Sequence, residues 1–124
     1  MGKFVVKPSK NGIVFILLAE NGRVICTSQA YASVSSCVNG AESVKNNCKS
    51  RTEDQTVDGY IMLTHPKYEI FMDKGGKYRF RLKAMNGEII ASSQGYMSKG
   101  SCKKGIASVS KNAAEAPITK RGDL

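Results

Sequence analysis

Two matching polar clusters hold the hydroxyl and amide chemistry of this sequence. One is Ser28, Gln29, Tyr31 and Ser33; the other is Ser93, Gln94, Tyr96 and Ser98. Each precedes a stretch with helical spacing. Free amides and the helix dipole at such a start favour an anion, so a small anionic ligand is one chemistry open to them. Structural duty is the other: serine as N-cap, tyrosine anchoring the crossover, glutamine bonding loop backbone. A second constellation is basic. Lys77, Arg79, Arg81 and Lys83 alternate along one stretch, and Lys99, Lys103 and Lys104 follow as a second group. Alternate residues on a strand are about 6.8 Å apart, close to phosphate spacing, so the row could track a nucleic acid or other polyanion in a salt-dependent way. The same pattern also makes a solvated, aggregation-resistant face. Tyr78 and Phe80 point to the opposite side, so no aromatic platform interleaves with the charges.

Catalysis and metal binding find little support. Cys26, Cys37, Cys48 and Cys102 include no C-x-x-C pair, and His65 is the only histidine. A zinc site needs about four clustered ligands, so no metal is expected. The thiols read as reduced and buried, which fits a cytoplasmic protein. Glu20, Glu42, Glu69 and Glu88 form no acid–base pair, and no phosphate-cradling glycine loop occurs. The expectation is a non-enzyme without cofactors. The chain has 124 residues and a formal net charge of +9, with no apolar run approaching the roughly 18–20 residues that span a bilayer. No membrane association and no signal peptide are expected.

An internal repeat must position these groups. Asn21-Gly22 through Tyr31 matches Asn86-Gly87 through Tyr96, and the identities continue from Ser33, Cys37, Gly40 and Ser43 to Ser98, Cys102, Gly105 and Ser108. Residues 3–48 and 67–113 are therefore two copies of one module. Residues 49–66 join them, and 114–124 read as a flexible tail, all within a single compact domain. Lys77 to Ala84 alternates strictly, as a half-buried strand does. The Asn-Gly pairs suit two-residue type I′ hairpins, placing Ala19 opposite Val24 and Leu17 opposite Cys26. Ser33 and Ser98 then cap helices whose apolar stripes run through Cys37, Ala41 and Val44, and through Cys102, Ile106 and Val109. Gly40 and Gly105 sit in mid-helix at a cost of about 1 kcal/mol each, so the helix backbone must lie close to the sheet or to the other helix. The fold expected is α+β: a tandem β-β-β-α duplication with antiparallel sheet or sheets, two helices packed on the inner face, and a pseudo-twofold.

The Asn-Gly hairpin, the Ser-Gln-x-Tyr-x-Ser segment and the Ser-Cys-x-x-Gly-x-x-Ser-Val-x-x-Asn helix, present in both copies, resemble the YegP-like family of small proteins of unknown function. The resemblance implies tandem strand-strand-strand-helix repeats and carries over no reaction and no catalytic residues. Where the copies differ is informative. Repeat 1 presents Val14, Ile16 and Leu18 on its outer face, with Ile25 joining them across the hairpin; repeat 2 has Arg79, Arg81 and Lys83 at the strand positions. Such an apolar row should be covered. The joining segment Tyr60 to Leu63, the other repeat, or a second chain in a homodimer could cover it. The function expected is a binding or assembly module, with weak nucleic-acid binding by repeat 2 and anion binding at the polar clusters as alternatives.

Overall fold

The structure is a computed structural model that describes residues 2–122. Alternating apolar residues at the start of the chain pair at once: β1 (Lys3–Ser9) and β2 (Gly12–Leu18) run antiparallel, with Phe4 opposite Leu17 and Val6 opposite Phe15. β3 (Val24–Thr27) returns along β2, α1 (Val34–Asn47) crosses back, and β4 (Thr52–Asp54) follows. The second copy repeats the path as β5 (Lys67–Met72), β6 (Tyr78–Lys83), β7 (Ile89–Ser92), α2 (Lys99–Asn112) and β8 (Ile118–Lys120).

All eight strands form one sheet in the order β4-β5-β6-β7-β3-β2-β1-β8. The copies join at β3 and β7, where Thr27 faces Ser92. This is the α+β tandem arrangement with a pseudo-twofold between the repeats. Both helices cover one face, and the core beneath them holds equivalent residues from each copy. Phe4 meets Phe15 edge-on and Phe15 stacks with Tyr31, as Tyr68 meets Phe80 and Phe80 stacks with Tyr96. Ser33 and Ser98 cap the helices as expected, accepting at 3.1 Å from the N–H groups of Ser36 and Ser101.

Three expectations change. The Asn-Gly turns are not two-residue type I′ turns. In these turns only the glycines have positive φ, Gly22 at 84° and Gly87 at 83°. Gly22 N–H donates to Ala19 O, and Ala19 N–H to Arg23 O. That is a three-residue loop in which a type I turn leads into a glycine bulge. Ala19 therefore stands opposite Arg23, while Leu17 keeps Cys26 as its partner. A further bulge sets Leu18 opposite Val24 and leaves Ile25 unpaired. A bulged residue can face the same side as its neighbour, and Ile25 joins Cys26 in the helix-side core rather than Val14 and Leu18 outside. Finally, residues 118–120 are a strand where a flexible tail was expected. β8 runs parallel to β1, with Ile118 opposite Phe4. β4, inside the joining segment, runs likewise beside β5, with Thr52 opposite Tyr68. The repeating unit is β-β-β-α-β. Residues 123 and 124 of the tail lie outside the described residues.

Candidate functional site

The outer face of the sheet displays the divergence between copies. One transverse row reads Thr119, Val5, Ile16, Thr27, then Ser92, Arg81, Glu69, Glu53 from edge to edge. From Thr119 to Ser92 it is apolar or hydroxylic, and from Arg81 to Glu53 it is ionic. As expected, Arg79, Arg81 and Lys83 share this face. Their ammonium and guanidinium groups are engaged, however. Arg81 Nε meets Glu69 Oε1 at 2.6 Å, Lys83 Nζ meets the same oxygen at 3.2 Å, and Arg79 Nε meets Asp73 Oδ2 at 2.6 Å. Lys67 Nζ bridges Glu53 at 2.7 Å and Glu69 at 3.3 Å. Arg81 also lies over the ring of Phe71 at 4.4 Å. Lys77 is exposed at the β5–β6 turn.

The remaining basic candidates lie elsewhere. Lys99, on the helix side, pairs with Asp54 at 2.9 Å and stands 6.0 Å from the Tyr78 ring centroid. Lys103 and Lys104 are exposed on α2. The seven residues do not form one surface. The sequence could not reveal the pairing, because Glu53 reaches Lys67 only once β4 lies beside β5.

The ionic cluster is covered. Glu53 and Glu69 are each 2% exposed and Lys67 is 4% exposed. Residues 55–66 form a strap tied to this face: Leu63 N–H donates to Glu53 Oε1 at 2.7 Å and Gln55 Nε2 to Glu53 Oε2 at 2.7 Å. Burial alone would raise the Glu53 carboxyl. Hydrogen bonds from Lys67, Gln55 and the Leu63 amide outweigh it and bring the group down to about 2. Glu69 is also held low: burial opposes the shift, and Arg81, Lys83 and Lys67 overcome it. The strap leaves Ile61 80% and Met62 75% exposed.

On repeat 1 the outer face is apolar and unevenly exposed. Ile16 and Val5 are buried, Val14 and Leu18 are half-buried, and Val24 is 47% exposed. Of the expected interface set, Val14, Ile16 and Leu18 share the outer face, whereas Ile25 lies in the helix-side core.

The Ser-Gln-x-Tyr-x-Ser segments have structural work. Ser28 Oγ accepts from Phe15 N–H at 2.9 Å and donates to Gln29 O at 2.7 Å; Ser93 does the same with Phe80 and Gln94 at 2.9 and 2.8 Å. Tyr31 and Tyr96 pair by backbone with Ile13 and Tyr78, and their rings lie across the helices at Gly40 and Gly105. A Cβ at Gly105 would stand 2.5 Å from the Tyr96 hydroxyl and 2.9 Å from Phe80 Cε2. The neighbour that requires glycine is therefore mainly each module's own tyrosine, with the sheet beneath it, and not the other helix. The hydroxyls of Tyr31 and Tyr96 are held above the ordinary phenol range, chiefly by burial. Burial pushes the Cys26 thiol up to about 12 and those of Cys37 and Cys102 up to about 11, away from the thiolate form that nucleophilic chemistry uses. Among the described residues no group of histidine, cysteine and carboxylate side chains is placed to hold a metal.

Two small clefts are related by the pseudo-twofold. One lies between α1 and the β6–β7 hairpin, lined by Tyr31, Gly40, Ser43, Asn86 and Glu88. Its pseudo-twofold counterpart lies between α2 and the β2–β3 hairpin, lined by Tyr96, Gly105, Ser108, Asn21 and Arg23. Each needs both repeats.

Fold and clefts together define a class: an internally duplicated α+β protein whose copies share one sheet and whose reactive side chains are mostly committed to the fold. Comparison with known proteins narrows it. The profile of a domain of unknown function, DUF1508, matches residues 9–54 and again 73–119, and each match runs into the strand after the helix. A UPF0339 protein from the region 5′ of the ptx operon of Stutzerimonas stutzeri is 34% identical over 123 residues, covering 98% of both chains. A UPF0339 protein of Methanosarcina acetivorans is 62% identical over 52 residues, 42% of this chain but 90% of its own length, so it carries one module. The solution structure of YegP from Escherichia coli superposes with a TM-score of 0.80 at 34% identity, covering 99% of this chain and 95% of that one. The chain belongs to the DUF1508, or UPF0339, family, whose function is unknown.

Proposed function

We propose that the protein is a non-enzymatic assembly module working through the outer face of repeat 1, and that the occupant of this face is a second copy of the chain. One observation carries this reading. The two halves of the outer face differ: the ions of repeat 2 are buried beneath the strap, while in repeat 1 Val24 is 47% exposed and Val14 and Leu18 are half-buried. Removing such side chains from water is favourable by about 25 cal/mol per Å². The chain also carries a complement. The strap carries exposed Ile61 and Met62, and exposed Asp58 lies three residues before Ile61 in the sequence. Lys3 and Lys7 flank the apolar row through their pairing with Leu18 and Val14. In the proposed dimer the strap of each copy meets the apolar half of the other about a twofold.

Sedimentation equilibrium tests the proposal. The expected result is a dimer at micromolar concentration that Val14→Lys with Leu18→Lys, or Ile61→Ser with Met62→Ser, turns into a monomer. A wild-type monomer throughout, or a dimer indifferent to both pairs, would overturn it. Four buried thiols outside any disulfide support a reducing compartment, and we place the protein in the cytoplasm. A disulfide in protein isolated from cells with thiols blocked at lysis would argue against that placement.

A further inference from the structure

The two clefts lie on the helix side of the sheet, away from the face just discussed. They share one framework and differ in charge. Beside the cleft over α2, and sharing Ala19, Asn21 and Ser108 with it, runs a shallow trough lined also by Lys104 and Lys111. Arg23 enters from the hairpin, so three basic residues surround the floor made by Asn21, Ser108 and Tyr96. Glu20 stands on the rim as the one carboxylate. At the positions equivalent by the repeat, the side over α1 has Glu88 for Arg23, Asn39 for Lys104 and Asn46 for Lys111. The framework is meanwhile unchanged: Tyr31, Ser43 and Asn86 correspond to Tyr96, Ser108 and Asn21. Basic charge therefore stands in one of two recesses that share this framework.

We infer that the trough between α2 and the β2–β3 hairpin is a binding site for a small phosphate-bearing anion. The donors fit that chemistry. Arg23, Lys104 and Lys111 are exposed, and none is in an ion pair among the described residues. A guanidinium with ammonium groups is the usual donor set for phosphoryl oxygens. Lys104 and Lys111 are seven residues apart on α2, about 10.5 Å along the axis and on the same side of the helix. That separation suits a diphosphate or a doubly charged ester better than a single carboxylate. Asn21 and the Tyr96 hydroxyl add neutral donors from the floor, and no hydrogen bond within the described residues occupies that hydroxyl. The cleft under Tyr96 holds about 170 Å³ and the adjoining trough about 460 Å³, which admits pyrophosphate.

The recess over α1 serves as an internal control. Titration of inorganic pyrophosphate into isotope-labelled protein, followed by amide NMR and calorimetry, is expected to show one site. Shifts should centre on Arg23, Lys104 and Ser108 and spare Asn39 and Glu88. Arg23→Gln with Lys104→Gln, both exposed, should weaken binding at least tenfold without changing the folded spectrum elsewhere. Grafting charge onto the other recess with Asn39→Lys, Asn46→Lys and Glu88→Arg should raise the stoichiometry from one to two. No saturable shift at millimolar pyrophosphate, shifts unaffected by the double variant, or a graft that stays at one site would overturn the inference. So would a single-stranded oligonucleotide that binds while pyrophosphate does not, because the cations would then serve a longer polyanion.

Discussion

Glu53 gives the residue scale its sharpest expectation. Its carboxyl is almost wholly removed from solvent and accepts hydrogen bonds from Lys67, Gln55 and the Leu63 amide. In the unfolded chain it titrates near 4.5; in the fold, near 2. A carboxyl depressed by folding stabilises the native state above its unfolded pKa, and that contribution is lost as pH falls through the folded value. Glu69 shifts in the same direction. Stability should therefore decline as pH drops from about 4.5 toward 2, seen as a falling urea midpoint, and Glu53→Gln should flatten part of that decline while lowering stability at pH 7. A steep acid loss left intact in Glu53→Gln would mean the cluster does not control it. Little of this was legible beforehand, because Glu53 and Lys67 are fourteen positions apart and meet only across a strand pair. Gly40 and Gly105 were half legible. Their helical cost signalled a close neighbour, but the tyrosine nine residues upstream reaches the helix only after the crossover closes.

At the scale of elements, the helices, their serine caps and the six long strands follow from periodicity and capping chemistry that the chain states locally. The two three-residue strands do not. β4 and β8 are too short to show a period, and each exists because an exposed edge waits beside it. β8 is tied in by more than its ladder. Thr119 Oγ1 donates to Phe4 O at 2.9 Å, Arg121 N–H donates to Val6 O at 2.8 Å, and Ala116 is fully buried. Removing residues 118–124 should bare the β1 edge, lower the thermal midpoint and promote aggregation, as unprotected edges do. Unchanged melting and clean elution of the truncated protein would show that β8 is decorative. The hairpin turns failed in a related way. An Asn-Gly pair permits a two-residue turn, but the bulge after Leu17 and the strand twist select the three-residue form, in which asparagine keeps a negative φ.

Across the whole molecule, the pseudo-twofold at Thr27 and Ser92 does what a dimer axis would do in a protein with a single module. The relative from Methanosarcina acetivorans, matched over 52 residues at 62% identity, has room for only one such module. Residues 2–66 alone would leave β3 without β7 and both clefts half built. Such a fragment should pair with itself through β3 and sediment as a homodimer. A folded, soluble monomer would contradict the view that the two halves complete each other. The basic row of β6 teaches the same lesson at this scale. Its alternation placed Arg79, Arg81 and Lys83 correctly on the outer face, yet their electrostatic state depends on acidic partners brought by the neighbouring β5 strand and by the turn before β6.

By itself the sequence determined the duplication, the order of the long elements and most of the residues facing the helices. These depend on residue type and on spacing along the chain, which act locally. Tertiary structure alone decided that the copies share one continuous sheet with both helices on one side. It also decided that Ile25 turns inward, that ions on repeat 2 pair beneath a strap, and that cations gather in one of two matching recesses. Each of those outcomes depends on groups far apart in sequence, whose solvation and charge balance are set only when the strands between them come into register.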